Sequence, residues 1–242
     1  MTGSFSLTDP RLTIERFWAD ESGASLVEFA LVITLFLFLL LAIIDFGRIG
    51  HAWVSANKAT QLAARLAAVR PPVCTGVPAT NDRGSDRSPK FGALCRAGAN
   101  VCANPGIISC VGRVNPDPRN LDGNTAQEIF DAIRPLIPAG TTINQMRYTY
   151  AFNPDPESVR GTYVPLGFLG GPFVPMVTVE LGDPPLRPDD PTVPLTFPFI
   201  SPLWPFVTAL TGQSSDLGRV GLQLPVMSVS LPGEDLNLGT GG

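Results

Sequence analysis

Residues Ala24–Ile44 read ASLVEFALVITLFLFLLLAII, and this stretch decides the architecture. Sixteen consecutive residues, Phe29 to Ile44, carry no charge, and thirteen of them are Leu, Ile, Val or Phe. At about −0.3 to −0.6 kcal/mol each, those thirteen supply roughly −4 to −8 kcal/mol towards bilayer insertion, against about 3 kcal/mol for one carboxylate at mid-membrane. Glu28, one residue ahead of the run, is that carboxylate. The apolar contribution wins. As a helix the segment rises about 30 Å, the thickness of one hydrocarbon core. A cleaved secretory signal needs a shorter apolar region with a small-residue cleavage site close behind it. Here Asp45-Phe46-Gly47-Arg48 follows, and Val54-Ser55-Ala56 lies too far downstream. A plain signal anchor explains insertion but not Glu28, because an acid inside an inserting segment marks a functional position by default.

Just upstream, Asp20-Glu21-Ser22-Gly23 leads into Ala24-Ser25-Leu26-Val27-Glu28-Phe29. A glycine, then a Glu five positions on, then an apolar helix resembles a type IV prepilin processing site. The longer string Gly23-Ala24-Ser25-Leu26-Val27-Glu28-Phe29-Ala30-Leu31-Val32, closed by Asp45-Phe46-Gly47-Arg48, is similar to the TadE-like pseudopilins of tight-adherence (Flp-type) pilus systems. The resemblance covers residues 14–48. It implies cleavage after Gly23 by a membrane-embedded prepilin peptidase, with Ala24 as the first mature residue and Glu28 and Phe29 in the processing segment. Glycine suits a bond that a peptidase must approach closely, since it has no side chain to clash. The resemblance also implies that Glu28 pairs with the new α-amino group of Ala24, each offsetting the burial of the other. The implied partners are membrane lipid, the prepilin peptidase, other pilin or pseudopilin subunits and the pilus assembly machinery.

Composition narrows the alternatives. With 17 Lys and Arg against 21 Asp and Glu, the net charge is −4, which argues against a nucleic-acid partner. The single histidine, His51, excludes mechanisms needing two, so no enzyme is expected and no cofactor or metal is called for. Three readings are weighed, in falling order: a TadE-like minor pseudopilin acting in pilus assembly; a single-span, signal-anchored extracytoplasmic binding protein unrelated to pili; and a tethered enzyme, for which paired carboxylates are the chemistry left open. Processing after Gly23 separates the first two.

Beyond Gly47 the chain reads RIGHAWVSANKATQLAARLAAVR, alanine-rich and free of proline until Pro71-Pro72. Alanine is the best helix former, so one helix from Ala24 to about Val69 is expected, with Gly47 and Gly50 as candidate kinks. Trp53, Ala56, Thr60, Ala63 and Ala67, beside Gly50, Asn57 and Ala64, fall on neighbouring rows that suit close packing, first of all on the protein's own C-terminal domain. Arg48, Lys58, Arg65 and Arg70 are expected in solvent, and Trp53 and His51 at the membrane interface.

Cys74, Cys95, Cys102 and Cys110 lie within 37 residues and contain no C-x-x-C pair, so two disulfides are favoured over zinc. Connectivity is open among three pairings. Few apolar periodic stretches occur in 71–123, so the bridges are expected to stand in for a core. They also place the C-terminal region in an oxidising compartment. Positive charges flanking the span are balanced, so the cysteines set the orientation: N-terminus cytoplasmic, domain extracytoplasmic, inner membrane between.

A helix is expected from Asn124, with Asn124 as cap and Gln127 as its reciprocal partner, running through Ile129, Phe130, Ile133 and Ile137 until Pro135 and Pro138 end it. Strands are expected at Thr142–Phe152, Val174–Leu181, Val193–Phe199 (an edge, from its prolines) and Val226–Leu231. Asn115-Pro116-Asp117-Pro118 and Asn153-Pro154-Asp155-Pro156 read as turns, and Gly167–Gly171 as a loop. Phe199–Leu210, with Trp204 and Phe206, is a buried lid or an exposed partner patch. The fold class is therefore α+β: a long N-terminal transmembrane, pilin-like helix packed on a small antiparallel sheet with long disulfide-stapled loops. The expected organisation is leader 1–23, extended helix 24–70, Cys-rich region 71–123 and helix-plus-sheet domain 124–242.

Overall fold

The computed structural model describes residues 23–98, 100–112, 123–152, 165–182, 195–197, 222–234 and 236. The chain divides into two compact units, one holding residues 1–47 and 199–217, the other 48–198 and 218–242. Helix α1 spans Ala24–Val69, 46 residues without a proline. It stays helical through Gly47 and Gly50. A Cβ at either glycine would meet nothing within 4 Å. Pro71 and Pro72, which lack the N–H needed to continue a helix, stop it.

Within the second unit, α1 buries Ala56, Ala59, Thr60, Ala63, Ala64, Ala67 and Ala68. These positions follow a three- and four-residue spacing, one stripe of a helix. Six of the seven are alanine, so the backbone can lie close to its neighbours, and Thr60 returns its hydroxyl to the Ala56 carbonyl at 2.9 Å. The stripe packs on the protein's own domain, as expected, but Trp53 does not belong to it and stands 48% exposed. Arg70 is ion-paired to Glu128, and Arg48 stacks over Phe197 at 5.1 Å. Neither is merely solvated, as the sequence implied.

The sheet has four antiparallel strands, β1 (Ile107–Val111), β2 (Met146–Ala151), β3 (Met176–Leu181) and β6 (Met227–Pro232), in the order β1-β2-β3-β6. A separate pair, β4 (Thr196–Phe197) and β5 (Leu222–Gln223), is two residues long on each side. Register puts Met146 opposite Leu181, Tyr148 opposite Val179 and Tyr150 opposite Val177. All six are buried. Of the alternate positions, Arg147, Thr149, Thr178 and Glu180 are polar and half-buried, while the last pair, Ala151 and Met176, is apolar and Ala151 is buried. Arg147 pairs with Glu180 across the strands. Ser109 meets Thr149 at 2.9 Å and Thr178 meets Ser230 at 2.7 Å. Period-two burial thus fixes the register: a one-residue slip would turn the apolar face to solvent.

Several expected boundaries shift, each for a local reason. Strand β2 begins at Met146, because Thr142–Gln145 forms a capped 3₁₀ turn in which the Thr142 N–H donates to the Gln145 side chain at 2.7 Å. A capping box therefore sits here. Helix α2, Gly123–Ile133, is already helical one residue before Asn124, and the Gln127 amide N–H donates to Asp131 at 3.0 Å. Its buried stripe is Ala126, Ile129, Phe130 and Ile133. Pro135 then sits in a 3₁₀ turn, Arg134–Leu136. Of the expected strand Val193–Phe199, Thr196–Phe197 is a strand, and its outer residues lie outside the described ones, as do both Asn-Pro-Asp-Pro turns.

The disulfides join Cys74 to Cys110 and Cys95 to Cys102. They were expected to replace a core in 71–123; instead they lie inside one. All four cysteines are buried alongside Val73, Val77 and Val101, in the same cluster as Ile129, Tyr148 and Val177. The stretch also supplies β1, which pairs with β2. Cys74–Cys110 ties the chain just after α1 to the outer strand of the sheet.

Tyr148 and Tyr150 are the largest fully buried side chains of the core. The Tyr150 oxygen accepts the Val73 N–H at 3.0 Å. Burial pushes both phenols above their ordinary value of 10.0, and for Tyr148 the neighbouring Tyr150 adds to it. The folded state thus holds these protons more tightly than the unfolded one. That contribution is complete below the unfolded value and is lost as pH rises past it.

Two outcomes are expected. Loop-closure entropy assigns about 4 kcal/mol to Cys74–Cys110 and about 2 kcal/mol to Cys95–Cys102, so Cys74→Ala/Cys110→Ala should lower the denaturation midpoint more than Cys95→Ala/Cys102→Ala. Denaturant melts should also show stability falling between about pH 9 and about pH 11, and a Tyr148→Phe/Tyr150→Phe protein should show a shallower fall.

Candidate functional site

Gly23 is exposed and directly precedes α1. A Cβ there would meet nothing within 4 Å, and its backbone is not in the left-handed region. Nothing in the described fold demands glycine at this position. Ala24 and Glu28 are four residues apart on α1, one turn of rise, which puts the carboxylate a turn above the positive helix end. Glu28 is exposed, and Phe29 is 66% exposed.

The helix that follows exposes Leu31, Leu35, Phe36, Leu39 and Ile43 to similar degrees. Its most apolar window has a mean hydropathy of 2.9 and no residue buried within the protein. A core helix of a water-soluble domain would be covered by its own chain. This one is long and apolar enough to cross a membrane once, which suggests a single-pass anchor. Asp45, which opens the Asp-Phe-Gly-Arg string, is 2% exposed, whereas the adjacent Phe46 is 70% exposed.

A second surface escaped the sequence reading. The backbone of 82–86 runs against 100–103, with Gly84 N–H donating to the Val101 carbonyl at 3.0 Å and Ala103 N–H to Asp82 at 2.8 Å. Residues 92–95 run against 167–169, with Leu169 N–H donating to Ala93 at 2.8 Å and Cys95 N–H to Gly167 at 3.1 Å. Cys95–Cys102 joins the two ladders. The expected loop at Gly167–Gly171 is thus one edge of a stapled platform. Asn81 holds its floor, donating through Nδ2 to the Pro172 carbonyl at 2.8 Å.

On this platform Phe91, Leu94, Leu166 and Phe168 are exposed, Phe91 to 74%. The rings close over glycines: a Cβ on Gly170, which has a φ of +81°, would lie 2.7 Å from Phe91, and one on Gly171 2.4 Å from Phe168, so either ring would have to shift. Arg83 lies over the Phe91 ring at 4.9 Å. Arg87, Lys90 and Arg96 are exposed on the same segment. Asp86 accepts the Ser88 N–H at 2.9 Å, and that bond holds its carboxyl below the usual range. Exposed aromatic rings, one of them with a guanidinium over its face, are residue types enriched at the centres of protein interfaces. The sequence signal was the pairing of isolated aromatics with glycines, Phe91-Gly92 between two cysteines and Gly167-Phe168 far downstream. The patch weighed at Phe199–Leu210 lies outside the described residues.

The four cysteines are brought together as two bridges, and of the processing residues Gly23 directly precedes α1 while Ala24, Glu28 and Phe29 lie in its first turns. Residues 23–65 match the family model of TadE-like proteins. The matched segment begins at Gly23 and covers α1 almost to its end, so this part of the chain is TadE-like and points to a pilus-associated protein. Nothing among the curated proteins or the solved structures matches the chain.

The glycines give a paired expectation. Gly23→Ala should leave the melting of the domain within about 0.5 kcal/mol of the parent. Gly171→Ala, which must displace the Phe168 ring, should cost about 1–3 kcal/mol in the same denaturant titration.

Proposed function

We propose that this chain is a minor pseudopilin of TadE type, anchored in the inner membrane by one helix and acting in the assembly of a tight-adherence pilus. The observation that carries the reading is the family match over residues 23–65, which starts at the glycine of the expected processing site. The long apolar run Phe29–Ile44 of α1, whose most apolar window is not buried within the protein, supports anchoring. Two disulfides support an extracytoplasmic domain, hence a cytoplasmic N-terminus.

The mechanism follows from the helix. Residues 1–23 act as a cytoplasmic leader that a prepilin peptidase removes. Cleavage after Gly23 frees the amine of Ala24, one turn from the Glu28 carboxylate. In a low-dielectric setting the two charges offset each other's desolvation, within one subunit or between neighbours. That pairing sets the depth and register of the helix among other pilin helices. The role is structural, not enzymatic. The Phe91–Phe168 platform is the surface presented to other subunits of the machinery, because a rigid, exposed aromatic cluster with a cationic rim has little use in a monomer.

N-terminal sequencing of membrane-extracted protein from the native host tests the reading. A start at Ala24 is expected, and a Gly23→Val variant should retain Met1 with its domain folded. Glu28→Ala should be cleaved normally yet be recovered in pili at a fraction of the parental level. An intact Met1 on the parental protein would leave the signal-anchored binding protein as the better reading.

A further inference from the structure

The two ladders of the platform are short and rich in glycine. The N–H groups of Gly84, Asp86 and Ala103 carry the first, donating to Val101, Asn100 and Asp82, and those of Gly92, Leu169 and Cys95 carry the second, donating to Leu169, Ala93 and Gly167. Glycines stand at 84, 92, 98, 167, 170 and 171, and glycine loses more chain freedom on ordering than any other residue. On the outer side Phe91, Leu94 and Phe168 stand in water, where the hydrophobic effect pulls them away from this arrangement. On the inner side Val101 and Leu169 join the buried cluster with Cys95 and Cys102. Cys95 belongs to the second ladder, and Cys102 lies between Val101 and Ala103 of the first, so their bridge crosses the seam. Strands β1, β2, β3 and β6 and helix α2 contain neither cysteine. Cys74–Cys110 ties that sheet to the chain after α1 independently.

We infer that Cys95–Cys102 is an oxidation latch: the core folds without it, and the Phe91–Phe168 platform is displayed once it has closed. On closing, the two thiols form one S–S bond and pass two electrons and two protons to a disulfide-bearing oxidant, which leaves as a dithiol. Cys95 and Cys102 are then 2% and 4% exposed, so an attacking thiolate has little access and the latch stays shut. With free thiols, the ladders must close the 95–102 loop unaided, which disfavours their closed form about thirty-fold. The exposed rings add to that penalty, and the ladders open. The inference rests on the platform being the contact surface and supplies its regulation. A chain still in a reducing compartment has no surface to offer, and the surface appears after the domain reaches an oxidising one.

The test compares the parental full-length chain with Cys95→Ala/Cys102→Ala, both in phosphatidylcholine nanodiscs, by amide hydrogen exchange. In the variant the Gly84, Gly92, Ala103 and Leu169 amides should exchange about thirty-fold faster, while the Tyr148 and Tyr150 amides of β2 stay within about two-fold of the parent. Chymotrypsin should cut after Phe91 roughly ten-fold faster in the variant. Platform amides that keep the parental rate would overturn the latch, because the ladders would then hold unaided. Faster exchange in β2 as well would also overturn it, by making the bridge part of the core. Neither failure touches processing at Gly23, whereas an intact Met1 would remove the pseudopilin reading and leave the exchange result standing.

Discussion

Close approach along the alanine stripe of α1 is the constraint on which the folded domain depends. Ala56, Ala59, Ala63, Ala64 and Ala67 are completely buried, yet each brings little apolar surface of its own. What they contribute is proximity. A helix with no side-chain bulk on one face leaves room for the large residues of the same buried cluster, among them Tyr148, Tyr150, Val177 and Val179, to fill the core. A leucine at Ala63 would exceed the room available, since interiors packed to this density have no slack for extra methylenes. The domain's large residues come from the strands and α2, and the small ones from α1. Size complementarity between elements, more than hydrophobicity of any one of them, makes the core.

The disulfides act on the same core. Cys74 follows α1 by five residues and bonds to Cys110 on β1, so the helix end and the outer strand are held at a fixed separation. The Val73 N–H donates to the buried Tyr150 oxygen, which satisfies a backbone group that would otherwise be costly to bury. Covalent bridge and hydrogen bond converge on one short segment at the point where the chain leaves the helix. Cys95–Cys102 works more locally. It holds together two backbone ladders whose outer surface displays Phe91 and Phe168. A loop made rigid in this way can expose aromatic rings without their collapsing inward.

The two halves of α1 answer opposite demands. From Phe29 to Ile44 the helix carries no charge on any face, and its most apolar window is not buried within the protein. The segment from Ala56 onward is apolar on one stripe and polar on the other face. An all-round apolar helix suits lipid, and a striped one suits a water-facing domain. One helix therefore carries both patterns along its length. Its glycines at 47 and 50 and its exposed Trp53 and His51 mark the transition.

The sequence by itself determined what depends on contiguous residues. Hydropathy gave the spanning helix, because insertion sums residue by residue. The string from Gly23 to Phe29 gave the TadE-like resemblance, because a peptidase and a family model both read linear order. Period-two alternation gave β3 and β6 to within a residue or two. Tertiary structure decided what depends on distant residues. Which cysteines pair, whether Trp53 or Ala59 joins the buried stripe, and whether Arg48 and Arg70 find partners are settled by elements far away in the chain. Strand β1 went unread because IISCV is short, is bordered by loops, and becomes a strand only when Tyr148 and Thr149 offer a ladder. The platform was hidden for the same reason: Phe91 and Phe168 are 77 positions apart, and only the folded backbone sets them on one surface.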